Sequence, residues 1–455
     1  MTGHSPGSGA DLIARMERVP FSKWHVRPRV LMGSATFFDA FDALSLAFVL
    51  PVLVRQWGIT SSQIGWMISI GYIGQFAGAL LFGALAERYG RVRSAAGATA
   101  VMSVMSLACA LAGNFPALLV LRLVQGIGVG GEMPVAAVYI NELSKAKGRG
   151  RFFLLYELIF PIGLMVTGQI GALVVPTLGW RVMFLIGGVP GLVIAFLLLR
   201  LPESPRWLIG KGRLAEAEAI VREIEASTPM GEAPNALPET VPVTAPVAAQ
   251  TQSRWTELLS PVYRARTAIV WTLWASSYFI TNGLNNWMPT LYNRVYGLSL
   301  AQSLRAGTLT NVAQVAVLLV CAFVIDRTGR RRWATICFLA GTVLLASLGL
   351  FAADSVTAVI TLVTLSYGLV GSVNAVLYLY TPEIYPTRMR AIGTGSATCW
   401  LRLASAAGPL LVGYLVDARG TGAVFLMFAA TGVVGAIAAA GMLETRNRRL
   451  EELAP

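Results

Sequence analysis

Apolar residues run along this chain in blocks of about 20, the length a helix needs to cross the hydrocarbon core of a bilayer. Polar positions gather in short stretches between them. The blocks are continuous and lack the period-two alternation of a half-buried strand, so they predict helices. Twelve spans follow, at 29–54, 64–86, 94–113, 116–141, 152–175, 181–200, 267–291, 302–325, 333–352, 357–381, 391–416 and 422–443. Backbone groups in lipid must bond internally, and helices satisfy them within each segment. The first twenty residues contain no apolar h-region, so no cleavable signal peptide is expected.

The chain also repeats itself. GALAERYGRVR from Gly83 returns as AFVIDRTGRRR from Ala322, aligning Glu87 with Asp326 at an offset of 239. Glu142 and Arg149 return as Glu383 and Arg390 at an offset of 241, and Glu203 returns as Glu444 at the same offset. Repeated halves with a site between them are the usual construction of secondary transporters. The predicted organisation is a tail at 1–28, a six-helix bundle at 29–200, a loop at 201–266, a second six-helix bundle at 267–443 and a tail at 444–455. The loop begins with SPRWLIGKGRLAEAEAIVREIEAS, read as an amphipathic helix, and continues with a Pro- and Ala-rich linker.

Composition agrees with the pattern. Apolar residues make up 55% and charged residues 13% of 455, and mean hydropathy is +0.64. The net charge of +13 raises the question of nucleic acid, but its distribution answers it. With the N-terminus inside, about 28 of the 36 Lys and Arg fall on the cytoplasmic side of the spans, the positive-inside pattern. The opposite loops hold Arg55, Arg181, Arg294, Arg305 and Arg419. Both termini are therefore expected in the cytoplasm of a bacterial cell, with the bilayer and a small solute as partners, no nucleic acid, and a monomeric protein. Cys109, Cys321, Cys337 and Cys399 all lie within predicted spans, where free thiols are expected. The two histidines, His4 and His25, precede the first span, so no His-based metal or catalytic site is expected in the membrane. Gly126, Gly128 and Gly131 match G-x-G-x-x-G, but a dinucleotide site needs a preceding strand and an exposed helix start. Inside an apolar helix these glycines are expected to permit close packing.

Charges inside the spans are informative because each costs roughly 2.5–3.5 kcal/mol at mid-bilayer on insertion scales. The set is Asp39, Asp42, Arg122, Glu132, Glu157 and Arg402. Asp39 and Asp42, three apart, share one helix face. At about 1.5 Å per residue, Asp42 and Arg122 reach a similar height, and Asp39 and Arg402 fall near mid-membrane. Asp42 with Arg122 reads as a proton-coupling pair, with Asp39 as the next candidate carrier, or as a buried ion pair that holds two helices. Arg402 suits a carboxylate through its planar fork, or is neutralised by Asp39. Asn282, Asn285 and Asn286 either bind substrate or satisfy backbone that Gly283 and Pro289 break open. Tyr156, Tyr378 and Trp400 either stack on a flat ring or pack in the core.

Several stretches resemble a known family. Glu87, Arg88, Gly90, Arg91 and Arg93 are similar to the signature loop of the major facilitator superfamily, and RLVQGIGVGG resembles its motif in the fourth span. PESPRWL and PEIYPTRMRAIGTG resemble its sugar-porter and organic-ion branch. The resemblance implies an all-α membrane protein with twelve helices in two pseudo-symmetric six-helix halves. It implies alternating access without a cofactor, driven by a proton gradient. It also assigns Glu87, Arg88, Arg91, Glu142 and Arg149, with Asp326, Arg327, Arg330, Glu383 and Arg390, to cytoplasmic latches. FFDAFD, NNWMPTLY and Arg402 resemble bacterial vitamin B3 (nicotinate and nicotinamide) transporters. The aromatic-acid/proton symporters of the hydroxybenzoate kind are the alternative. A non-transporting membrane sensor is a third reading, with little chain available for a signalling domain. Aligned with hexose porters, Gly283 and Asn285 match, but Phe279 and Ile280 stand where those carry glutamines, which speaks against sugar. No enzyme constellation is present.

Overall fold

The computed structural model describes residues 9–19, 22–143, 158–227, 255–352, 355–386 and 389–446. Tyr156, Glu157, Arg149 and the Pro- and Ala-rich linker lie outside the described residues. Within them the chain is helical: α1 (Gly9–Arg18), α2 (Lys23–Trp57), α3 (Ser61–Tyr89), α4 (Arg91–Ala110), α5 (Phe115–Glu142), α6 (Ile159–Leu178), α7 (Arg181–Leu198), α8 (Pro205–Gly210), α9 (Leu214–Ala226), α10 (Arg264–Arg294), α11 (Leu300–Thr328), α12 (Arg330–Ser347), α13 (Val356–Glu383) and α14 (Arg390–Ala440). Among the described residues, ten helices are long and apolar enough to cross a membrane. Two more spans bring the total to twelve. One is α10, whose asparagines lower its hydropathy. The other arises because α14 is two helices separated at Gly420 (φ 77°, ψ −179°), within the expected loop at 417–421.

Small residues set the helix spacing. A side chain on Gly126 would collide with the Gly71 carbonyl, one on Gly128 with the backbone of Met102, and one on Gly131 with the Phe82 ring. The G-x-G-x-x-G run is thus a packing surface between α5 and its neighbours α3 and α4. All four cysteines are free thiols.

The repeat is visible in the loops at the basic end of the bundle. Gly90 (φ 108°) and Gly329 (φ 85°) turn the chain into α4 and α12 through backbone that side chains rarely adopt. Glu203 accepts from the backbone N–H of Arg91 (2.9 Å) and Val92 (3.2 Å), capping α4. Glu444 does the same for Arg330 (3.0 Å) and Arg331 (3.2 Å) at α12. The anion at each helix start meets unpaired N–H groups and the positive end of the dipole. Burial pushes the Glu203 carboxyl above its ordinary range, against the pull of these donors. Arg91 bridges Glu87 (2.9 Å) and Glu142 (3.0 Å); Arg330 bridges Asp326 (3.2 Å) and Glu383 (3.3 Å). Arg88 lies over the Tyr89 ring. Arg327 offers its carbonyl to Arg446, and Arg390 donates to the Tyr385 carbonyl at 3.2 Å.

Two expectations change. The amphipathic segment after α7 is two helices, because Gly212 takes φ 73° between them. Gly283 and Pro289 do not break α10, which runs unbroken from Arg264 to Arg294. A side chain at Gly283 would meet the Phe428 ring, and Gly307 leaves room for the Pro289 ring, so both serve packing. The N-terminal tail contains α1, which buries Leu12 against Trp207, Leu208, Ala217 and Val221 and pairs Arg15 with Glu225 at 2.7 Å.

Candidate functional site

Hydrogen bonds between the two halves begin at the end opposite the basic loops. Ser61 donates to Asp417 at 2.7 Å, and Arg294 donates to Ser61 at 2.6 Å. Ser69 donates to the Ala406 carbonyl at 2.5 Å. A Cβ on Gly65 would sit 2.9 Å from the Pro409 carbonyl oxygen, so α3 and α14 touch backbone to backbone there. Deeper in, Asn286 donates to the Tyr72 hydroxyl at 3.0 Å. Arg402 donates to Gln75 Oε1 at 2.8 Å and to the Gly130 carbonyl at 3.1 Å. Closer to the basic end, the Tyr378 hydroxyl donates to Met133 Sδ at 3.9 Å. The short hydrogen bonds between the halves gather at the end opposite the basic loops.

Between these levels lies a cavity of about 100 Å³. It draws residues from both halves: Asp39 on α2, Tyr72 and Gln75 on α3, Met133 on α5, Phe160 on α6, Asn282, Asn285 and Asn286 on α10, Gln314 on α11, Asn374 and Tyr378 on α13, and Arg402 on α14. Among the described residues Arg402 is the only cation lining it, 8% exposed, with two donors committed to Gln75 and Gly130 and its Nε without a partner. Asp39, 3% exposed, lines the same space, and its Oδ1 has no partner. Around them stands a rigid polar frame. Asn282 donates to Ser405 at 2.6 Å, Asn311 to Asn285 at 3.2 Å, and Ser277 to Asn374 at 2.6 Å. Tyr378 packs edge-on against Trp274 with ring centroids 4.6 Å apart, and Tyr278 stacks on Trp274 at 5.7 Å. A guanidinium at one point of an aromatic and amide-lined space is equipped to orient a flat, polar-headed solute.

Six of the residues singled out from sequence thus share this cavity: Asp39, Asn282, Asn285, Asn286, Tyr378 and Arg402. Trp400 does not line it. It is 40% exposed and lies beside Trp271, 5.7 Å between ring centroids. Tyr156 is not described. Sequence reasoning missed Tyr72, Gln75, Gln314 and Asn374. Their signal was a lone amide or hydroxyl inside an otherwise apolar span, since such groups need a partner or a cavity.

Asp42 and Arg122 sit beside the cavity in protein, 0% and 6% exposed. Asp42 accepts from Ser106 at 2.8 Å. Arg122 donates to Gln125 Oε1 at 2.7 Å and to the backbone carbonyl of Asp42 at 3.4 Å, and not to the Asp42 carboxylate. Asp42 Oδ2 and Arg122 Nε have no partner. The two charges are neighbours without a closed ion pair.

Comparison with known proteins bears on this site. The family model described as "Sugar (and other) transporter" matches residues 26–455. The chain is similar to the niacin transporter NiaP of Acinetobacter baylyi, 34% identical over 448 residues, covering 97% of this chain and 99% of that protein. It is similar to the 4-hydroxybenzoate transporter PcaK of Pseudomonas aeruginosa, 30% identical over 384 residues and covering 84% of each. Among solved structures, the partially occluded inward-open xylose transporter XylE of E. coli superposes with a TM-score of 0.73 at 19% identity, over 94% of this chain and 100% of that one.

Proposed function

The chain belongs to the sugar (and other) transporter family and is a multi-pass membrane transporter with the major facilitator fold. From that premise we propose that it imports a small flat organic solute, vitamin B3 as nicotinate or nicotinamide before others, by alternating access coupled to protons. The observation that carries this reading is Arg402, the one cation among the described cavity-lining residues, set beside Tyr378 and a frame of asparagines. A carboxylate takes the guanidinium fork, the ring lies among aromatic side chains, and the amides bond a ring nitrogen or an amide head group. The similarity to NiaP supports the same choice. By the positive-inside pattern, the end with the basic loops faces the cytoplasm of a bacterial inner membrane, with both termini there. In that orientation the structure corresponds to an inward-facing state, closed outside by the Ser61–Asp417–Arg294 contacts.

Proton coupling rests on Asp42. With Arg122 held off its carboxylate, Asp42 takes a proton in one half of the cycle. The approach of Arg122 favours the anion and expels the proton in the other. The alternative substrate, 4-hydroxybenzoate, is favoured by the similarity to PcaK and offers the same carboxylate to Arg402. Binding to the purified protein of labelled nicotinate, competed by nicotinamide, 4-hydroxybenzoate and xylose, separates these readings. Nicotinate and nicotinamide should compete best. Preferred competition by 4-hydroxybenzoate transfers the assignment to aromatic acids, and competition by xylose alone overturns it.

A further inference from the structure

Two of the unpaired, buried carboxyl oxygens belong to different helices. Asp39 Oδ1 on α2 has no partner, and neither has Oε2 of Glu132 on α5, a residue with no exposed surface. The Thr36 hydroxyl donates to Glu132 Oε1 at 3.2 Å. Thr36 and Asp39, three apart, lie on one face of α2, so Glu132 and Asp39 belong to one buried cluster. Glu132 is two residues from Gly130, whose carbonyl accepts from Arg402. It is the member of the cluster nearer the basic end, ten residues or about 15 Å from Glu142 along α5.

Charge counting shows what this cluster lacks. Among the described residues, three carboxyl groups, Asp39, Asp42 and Glu132, are buried in the middle of the bundle against two guanidinium groups, Arg122 and Arg402. Arg122 is engaged beside Asp42, and Arg402 shares the cavity with Asp39. Of the other titratable groups on packed elements, Tyr72 on α3 bonds Asn286, and Cys109 on α4 faces Gln125. The Ile159–Leu178 stretch of α6 carries none, and Glu87, Arg88, Arg91 and Arg93 stand at the basic end. No described cation lies within ion-pair distance of Glu132. A buried carboxylate without a partner costs several kcal/mol, and two carboxyl groups in one dry site do not both ionise.

We propose that Glu132 is a second proton-binding carboxyl of this transporter and shares one proton with Asp39. The proton arrives from water and forms an O–H bond on one carboxylate oxygen, leaving the cluster with as many negative as positive charges. Glu132 stands between Asp39 and the basic end, so a proton leaving the cavity on that side passes through it. When an anionic substrate occupies Arg402, Asp39 loses its counter-charge and the shared proton moves onto it, while Glu132 takes a second proton from water at the basic end. This rests on the proton-coupled reading above for its role in transport, but not for the presence of the proton.

Infrared spectroscopy of the purified, ligand-free protein in lipid at neutral pH reads that proton directly, through the C=O stretch of a neutral carboxyl. The wild type should show the band, Glu132→Gln should lose it, and Asp39→Asn should move it. Thr36→Val keeps both carboxyl groups, removes the donor to Glu132, and should also move the band; it serves if Glu132→Gln fails to fold. In proteoliposomes Glu132→Gln should retain exchange of labelled for unlabelled nicotinate and lose at least tenfold in accumulation driven by a pH gradient. Any neutral carboxyl of Asp42 is assigned by its own Asp42→Asn difference spectrum; the absence of a further carboxyl band in the difference between wild type and Glu132→Gln, or a band there that does not move in Thr36→Val, overturns the proposal. If wild-type accumulation ignores an imposed pH gradient, the proton-coupled reading fails while the infrared result still decides whether Glu132 holds a proton.

Discussion

Replacing Arg402 by lysine separates charge from geometry at the centre of the cavity. The guanidinium spends one Nη on Gln75 Oε1 at 2.8 Å and the other on the Gly130 carbonyl at 3.1 Å, and its Nε is free of partners. It can therefore brace α3 and α5 and still present donors to a ligand. A lysine ammonium is a single point on a flexible stem. It can replace one of these contacts but not hold Gln75, Gly130 and a carboxylate together. A hydrogen bond to a charged group contributes about 1.5–3 kcal/mol, so loss of one corresponds to about 10- to 150-fold in Kd, at 1.4 kcal/mol per tenfold. Equilibrium binding of labelled nicotinate to purified Arg402→Lys measures this. Nicotinamide provides the internal control, because its neutral head group makes weaker bonds to a cation and should lose less. Thermal unfolding of the ligand-free protein should stay near that of the wild type, since the positive charge remains opposite Asp39. Unchanged nicotinate affinity would show that Arg402 only joins the two halves. An equal loss for both ligands would indicate a collapsed cavity and refute the carboxylate assignment.

Two further outcomes are expected. Asp42→Asn keeps an acceptor for Ser106 but cannot release a proton; it should abolish pH-driven accumulation in proteoliposomes while exchange across the membrane continues, and a variant that still concentrates substrate places the carrier elsewhere. Asp417→Asn weakens the clasp at Ser61, where the contacts are 2.7 and 2.6 Å. Loss of about 0.5–1.5 kcal/mol there should shift the population toward opening at that end by roughly 2- to 12-fold. Electron–electron distance measurements between spin labels across the Ser61 and Asp417 ends read the shift, and an unaltered distribution removes the clasp from the gate.

Much of the loop machinery was legible because its signals are local. The acids and arginines of the repeat recur at fixed offsets beside turn glycines, and the structure closes both copies with the same contacts, Glu203 over α4 and Glu444 over α12. Arg402 and Asp39 stood out because charge in a span is costly. Other residues were not legible from such signals. Gly283 and Pro289 suggested a broken helix, but neighbours supply the packing that keeps α10 continuous.

By itself, the pattern of apolar blocks determined that this chain is helical and crosses a membrane, and the 239–241 residue offsets determined that it is built twice. Both are properties of composition along one dimension: a helix must be long enough for the bilayer, and a repeat is a comparison of the chain with itself. Only the tertiary structure decided which face of each helix looks inward. Lipid and protein interior are both apolar, so a membrane helix carries little of the one-sided polarity that orients a helix in water. Trp400 and Arg402 are two residues apart, yet the first is 40% exposed and the second is buried in the cavity. Gln75, 327 residues from Arg402 in sequence, is its closest hydrogen-bond partner because glycine-lined helices bring α3, α5 and α14 together.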